Sequence, residues 1–358
     1  MVANDFLSAF IMFFDLVGEG FVALALGFSS APTGIGFLVG AVLVFFLKSA
    51  LPVSFEVESL TIISRLANRD WKNMAHMVLT AGVIGAILGG TGLYGHIVAF
   101  IEGPILSGLM AGVGVLLCRV ALDLSKDNKY IGGASIGVAF LTFFLFKHDE
   151  NNLFYALMAS IIAGVIVSRF VNFEPIVKDF SKERIRLIPL DGFKFLLDRK
   201  ILHGAFALLA LRTGTSIAYS GIDSQLSGLP VNVDHSNIIS GVAGTASALF
   251  GGAPLEPIIS VTAMAPTPHY AAAFMMLVMG ALLLIGFLPR IGKYLPLGCI
   301  AGLLFLLGSA IAIPDNLPGV LTEMDTISGP VTLVVTAATF DPLLGIISGI
   351  LVRFLIGF

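Results

Sequence analysis

One carboxylate, Glu256, stands among four prolines in FGGAPLEPIISVTAMAPTP, residues 250–268 of a chain that is otherwise strongly apolar. A proline suits the first position of a helix, where its missing N–H costs nothing, and it drives the residue before it into extended backbone. Pro257 is therefore expected to open a short helix, with Glu256 as its N-cap. If that helix begins near the middle of a bilayer, its unpaired N–H groups and positive dipole end face the protein interior, where a polar ligand can use them. Capping alone is a weak reason for the acid. It is worth ~0.3–1 kcal/mol, whereas a carboxylate at the bilayer centre costs about 2.5–3.5 kcal/mol on insertion scales. Glu256 is accordingly a candidate both for substrate binding and for carrying a proton, and Glu256→Gln is expected to fold normally but bind more weakly.

LPVSFEVESLTIIS, residues 51–64, has the same grammar: Pro52 leads into Glu58 and a short apolar run, which makes Glu58 the counterpart of Glu256, with Ser54 and Phe55 on the approach to it. Two further acids, Asp15 and Glu19, are four residues apart and so share one helix face. Like charges so placed repel unless a proton or a cation lies between them, so both are candidates for proton coupling. Arg212 interrupts another apolar run beside Thr213, Thr215 and Ser216. Arg212 and Thr215 are candidates for binding, and the plainer alternative is a structural ion pair between Arg212 and Asp15 or Glu19. His203 and His269 fall at helix ends and are expected to be interfacial.

Two other patterns carry little. GTGLYG, Gly90 to Gly95, matches a dinucleotide-binding pattern, but it sits late in an apolar helix with no strand before it, where helix packing is the better reason for glycine. GASIG, Gly133 to Gly137, matches a serine-nucleophile pattern, yet a base for Ser135 is wanting: the only first-half histidines in apolar segments, His76 and His96, lie near helix ends. The chain also lacks an H-E-x-x-H motif, a Walker loop and a long soluble domain. An enzyme is therefore not expected, and no catalytic residue or metal ligand is assigned.

The elements that must position these residues are membrane helices. Hydrophobic residues make up 57% of the chain and charged residues 12%, with a mean hydropathy of +0.98, which marks an all-α polytopic membrane protein. Cys118 and Cys299 both lie in apolar runs, which argues against a disulfide framework. The first segment has neither the basic start nor the cleavage site of a signal peptide and is expected to remain as a helix. Fourteen apolar segments can be drawn, of which the third (53–64) and the tenth (256–265) are too short to span. The fourth is read as 74–98, the eighth as 201–220 and the eleventh as 269–289.

A polar stretch at 172–200 separates a first repeat, 1–171, from a second, 201–358, and the halves echo each other at an offset of about 195 residues. GAIL at Gly85 to Leu88 recurs as GALL at Gly280 to Leu283, and Gly108 and Gly114 recur as Gly302 and Gly308. Seven segments per repeat put the second copy into the membrane the other way up, giving a 7+7 inverted repeat with broken half-helices at segments 3 and 10. Sixteen Lys and Arg lie on the face of the 172–200 linker, against Lys48 and Lys147 on the other. That asymmetry places the linker in the cytoplasm and both termini outside a cell (inner) membrane.

With those breaks in place, SGVAGTASALFGGAPLEPIIS, 240–260, resembles the stretch joining the ninth and tenth segments of the nucleobase/ascorbate transporter family (xanthine/uracil permeases), whose fold is shared with the sulfate permease anion transporters. The resemblance implies a core domain of segments 1–4 and 8–11 and a gate domain of segments 5–7 and 12–14. It also implies an elevator movement that carries a substrate held between segments 3 and 10. In that family an acid of the tenth segment accepts hydrogen bonds from the base, and Glu256 matches its position, followed by Pro257. The expected activity is proton-coupled uptake of a nucleobase, with sodium as the alternative coupling ion and no other cofactor. The expected partners are a small-molecule substrate, the lipid bilayer and a homodimer mate, with no nucleic acid polymer. Two departures point elsewhere: the eighth-segment acid and histidine of the uracil permeases are replaced by LRTGT, Leu211 to Thr215, and their Asn-x-Gly after the acid by EPIIS. An arginine at that place suits an anion, as in the sulfate permeases, which makes a small-anion transporter the second expectation. A structural or binding membrane subunit is the third.

Overall fold

The computed structural model describes the chain except residues 1–2, 102, 127, 150–151, 174, 177–184, 186, 189–197, 259, 322–325 and 357–358. The expected linker 172–200 thus falls largely outside the described residues. The first half contains α1 (Ala3–Ala25), α2 (Ser30–Leu47), strand β1 (Val53–Ser54), α3 (Val57–Leu66), α4 (Trp71–Gly90), α5 (Leu93–Phe100), α6 (Gly103–Leu124), α7 (Lys129–Leu145) and α8 (Asn152–Ser168). The second contains α9 (Arg199–Ser227), α10 (Val233–Ala248), strand β2 (Glu256–Pro257), a 3-10 turn (Val261–Met264), α11 (Pro268–Leu284) and α12 (Phe287–Gly292). A rod then runs from Leu297 to Val320 through α13 (Ala301–Leu306), a π turn (Leu307–Ala312) and α14 (Ile313–Val320), followed by α15 (Ser328–Thr339) and α16 (Pro342–Ile356).

Polar residues set several helix starts. Asp70, Asn128, Asp198 and Asn232 are N-caps whose side chains accept from first-turn N–H groups of α4, α7, α9 and α10. Four helical stretches are long and apolar enough to cross a membrane: Ser30–Leu47, Trp71–Gly90, Gly103–Leu124 and Leu297–Val320. Six shorter apolar helices accompany them among the described residues.

Three segments differ from their expected form. The fourth is broken after Gly90 and the eleventh after Leu284, each at a glycine of positive φ, Gly92 at 71° and Gly286 at 70°. Only glycine adopts that backbone readily, so it ends a helix that hydropathy alone would continue. The two glycines are separated by 194 residues (286 minus 92), close to the repeat offset. The tenth segment is not a half-helix: Glu256 and Pro257 form a strand, and only Val261–Met264 turn helically. Pro257 does hold Glu256 extended, as its ring requires, but the chain then pairs with β1 instead of entering a helix.

The fold divides into two compact units, Met1–Ile101 with Phe180–Leu288, and Glu102–Asp179 with Pro289–Phe358. In the first, α2 packs on α11 and α10 on α4; α1 meets α11 and the 3-10 turn, while α9 meets α4 and α3. Replacing each element by the one seven segments later returns the same set of pairs. The second unit shows the same exchange, α7 with α8 answering α15 with α16. Glycine permits the tightest of these crossings. A Cβ on Gly34 would lie 2.7 Å from the Gly280 carbonyl oxygen, and one on Gly114 would lie 2.9 Å from that of Gly308.

Candidate functional site

The strands β1 and β2 pair antiparallel, Val53 opposite Pro257 and Ser54 opposite Glu256, and Ile258 N donates to Pro52 O at 3.2 Å. This short ladder joins the two proline-broken stretches, from opposite halves of the chain, back to back. Its centre is buried: Ser54, Phe55, Glu56, Glu256 and Pro257 are all nearly inaccessible.

Glu256 does not cap a helix. The N-cap of the 3-10 turn is Ser260. The Glu256 carboxylate instead receives two parallel bonds from Arg212 of α9, Nε to Oε2 at 2.5 Å and Nη2 to Oε1 at 2.7 Å, in the fork geometry that guanidinium and carboxylate share. Both residues are buried, Arg212 at 1% exposure and Glu256 at 0%. The ion pair expected between Arg212 and Asp15 or Glu19 is thus made with Glu256, which β2 delivers to the middle of α9. Ser240 of α10 lies 3.1 Å from Oε2 and donates to Leu255 O at 2.5 Å. The remaining guanidinium nitrogen, Nη1, donates to Asn237 Oδ1 at 3.3 Å, and Asn237 Nδ2 donates to Gly85 O at 2.7 Å.

Gly85, noted above as a repeat marker, has a local duty as well: a Cβ there would come within 2.4 Å of Arg212 Nη1. Gly85→Ala is expected to push the guanidinium off Asn237 and to destabilise the protein by about 1–3 kcal/mol, as overpacking in a full core does. A thermal unfolding midpoint equal to wild type would refute it.

The other expected site residues are distributed as follows. Ser54 Oγ is buried without a hydrogen-bond partner among the described residues. Phe55 stacks against Phe37, with ring centroids 5.2 Å apart. Glu58 is half-buried in the first turn of α3, and Glu19 is half-buried on α1. The side chain of Asp15 lies outside the described residues. Thr215 donates to Arg212 O at 3.2 Å and Thr213 to Leu209 O at 2.8 Å, so both hydroxyls bond back to their own helix. The motifs judged structural have structural partners. Ser135 Oγ donates to Cys299 O at 2.7 Å and accepts from Gly302 N at 2.9 Å. GTGLYG is the α4–α5 break, where Gly95 N donates to Asp234 Oδ1 at 3.1 Å.

Four participants escaped the sequence reading. Asn237 and Ser240 are three apart on α10 and therefore share the face turned to Arg212. Asp223 is fully buried on α9, accepts from Ser260 N at 3.3 Å through Oδ1, and has no partner on Oδ2. Glu56, the residue before α3, is 3% exposed; Ser59 Oγ donates to its Oε2, while Oε1 has no partner. The signal for Glu56 was present in SFEVES, where two acids stand two apart, and helix phase decides between them: α3 begins at Val57, leaving Glu56 at the break and Glu58 on the first turn.

No protein-family model matches the chain, and no curated protein matches it by sequence. Solved structures do. The transmembrane domain of a cyanobacterium bicarbonate transporter, BicA, is 18% identical and superposes with a TM-score of 0.63 over 94% of this chain and 97% of that one. The murine anion transporter Slc26a9 in its inward-facing state is 14% identical, with a TM-score of 0.65 over 99% of this chain and 68% of that one. A further SLC26A9 structure is 12% identical, with a TM-score of 0.55 over 96% and 65%. At such identities the likeness is one of fold, and the first two of these structures are named as a bicarbonate transporter and an anion transporter. The chain is a multi-pass membrane protein with the fold of the SLC26 transmembrane domain.

Proposed function

We propose that the protein is a secondary active transporter of a small anion, built as a 7+7 inverted repeat and working by an elevator movement. The observation that carries this reading is the likeness, over 94% and 99% of this chain, to solved structures named for a bicarbonate transporter and an anion transporter. The site favours an anion over a nucleobase on separate grounds. A base would need the Glu256 carboxylate as acceptor for its N–H groups, and both oxygens of that carboxylate already accept from Arg212. What remains at the ladder for a ligand is the N-terminal end of α3, a dipole that favours negative charge. The exchange of packing partners between the halves supports the inverted repeat. The unit Met1–Ile101 with Phe180–Leu288 serves as the core that carries the site, and the unit Glu102–Asp179 with Pro289–Phe358 as the gate.

The test is uptake into proteoliposomes. Labelled bicarbonate, sulfate or chloride is expected to accumulate under an imposed gradient, whereas uracil and xanthine are not. Accumulation of a base without any anion would restore the nucleobase reading, and gradient-independent behaviour with every solute would leave a structural subunit.

The charge asymmetry places the linker in the cytoplasm and the termini outside. A cysteine introduced at Ser181, which lies outside the described residues, is expected to be shielded from an impermeant thiol reagent in intact cells. One introduced beside Asp315, at the start of α14, is expected to be labelled. The reverse pattern would invert the topology.

A further inference from the structure

Resting on the anion reading, we propose that Glu56 takes up the coupled proton, and that its neutralisation opens the N-terminal end of α3 to the anion, so that one proton and one anion move together. Glu56 is the residue that delivers α3 from the ladder, and its backbone is extended, with φ −134° and ψ 120°. It occupies the N-cap position yet makes no bond from its side chain to a helix N–H. Its carboxyl is turned to the Ser59 hydroxyl through Oε2, and Oε1 is left without a donor inside a buried site. An ionised carboxylate needs donors on both oxygens when water is excluded; a protonated one needs fewer and carries no charge.

Glu56 lies among other ionisable groups. Glu58 on α3, Glu256 on β2 and Arg212 on α9 all act on it electrostatically. Tyr219 of α9 stands in the same field, acted on electrostatically by Glu58, Glu56 and Glu19 of α1. The one guanidinium among these groups is held by Glu256 through two bonds and by Asn237 through a third. Arg212 and Glu256 cancel, so Glu56 and Glu58 leave the α3 terminus with excess negative charge. An anion is repelled from such a place while Glu56 is ionised, and less so once it is neutral, when the positive end of the α3 dipole can draw it in. The Ser54 hydroxyl, on β1 two residues before Glu56 and without a partner among the described residues, supplies a further donor. Only O–H bonds change: hydronium of the outer solution gives its proton to Glu56 Oε1 before the anion enters, forming the carboxyl O–H and leaving water, and that O–H breaks again, with the proton passing to water of the inner solution, after the anion has gone.

The experiment compares wild type with Glu56→Gln, a permanently neutral replacement of the same shape, and with Glu56→Asp. Apparent affinity for bicarbonate or sulfate is read by thermal shift between pH 5.5 and 8. Wild type is expected to weaken with rising pH, approaching tenfold per unit, as binding linked to one proton requires. Glu56→Gln is expected to hold one affinity throughout, to exchange labelled anion across the membrane, and to lose accumulation driven by a proton gradient. Glu56→Asp keeps gradient-driven accumulation. Infrared difference spectra on anion addition give a second readout: a protonated-carboxyl band in wild type, shifted in Glu56→Asp, which stays informative if Glu56→Gln does not fold. A Gln variant with wild-type pH dependence, or a band unmoved in Glu56→Asp, overturns the assignment. Absence of any anion binding by wild type would instead remove the anion reading beneath it.

Discussion

Glu256→Ala is expected to cost about 3–5 kcal/mol of stability, because it leaves the Arg212 guanidinium buried without the carboxylate that binds it. Glu256→Gln is expected to fall nearly as far, since an amide keeps the shape but not the charge. With Glu256 as a substrate-binding and proton-carrying acid at a helix start, the Gln variant is expected to fold normally; the fork to Arg212 reverses that. Arg212→Met alone should do similar damage by stranding the carboxylate. The decisive measurement is the double replacement, Arg212→Met with Glu256→Met, whose unfolding midpoint should return to near that of wild type, because two buried charges are removed together and apolar side chains of similar volume fill the space. Simple additivity of the two single effects would show that the pair is not coupled.

The second large effect is steric. A Cβ on Gly241 of α10 would sit 2.6 Å from the Gly82 carbonyl oxygen and 2.6 Å from Ala86 N, both backbone atoms of α4. Backbone cannot rotate aside as a side chain can, so the helices must part. Gly241→Val is expected to lose roughly 3 kcal/mol or more and to leave little monodisperse protein by size-exclusion chromatography. Gly133→Ala is the control: nothing lies within 4 Å of a Cβ on that helical glycine, so the change should stabilise by about 0.5–1 kcal/mol through backbone entropy. Equal responses at the two glycines would refute the close crossing.

The helices were legible because runs of apolar residues are a local property; the Asp and Asn caps that start four of them are equally local but are not marked by hydropathy. The break at residues 250–268 was legible for the same reason, four prolines being a local statement. What the chain does after the break was not. Whether Glu256 begins a helix or a strand depends on Ser54, about 200 residues earlier, and no window on the sequence contains both. The partner of Arg212 was missed in the same way. Asp15 and Glu19 were attractive because their helix is the repeat counterpart of the one that carries Arg212, yet counterparts related by a two-fold exchange need not touch. Hydropathy also could not find the breaks at Gly92 and Gly286, since both interrupt apolar runs without changing their composition.

The ladder between β1 and β2 also bears on how the protein is made. Ser54 waits for a partner, Glu256, that leaves the ribosome 202 residues later (256 minus 54), and α2 waits for α11 beyond it. At a synthesis rate of about 5–20 residues per second that interval is roughly 10–40 s. Throughout it the nascent first half holds Glu56 and an unpaired strand edge in or beside the bilayer with nothing of its own to cover them. Contacts so distant along the chain are slow to form. Biogenesis should therefore depend on an insertase or lipid-facing chaperone that shelters the first half until the second arrives, and a chain released before residue 256 is a substrate for membrane proteolysis.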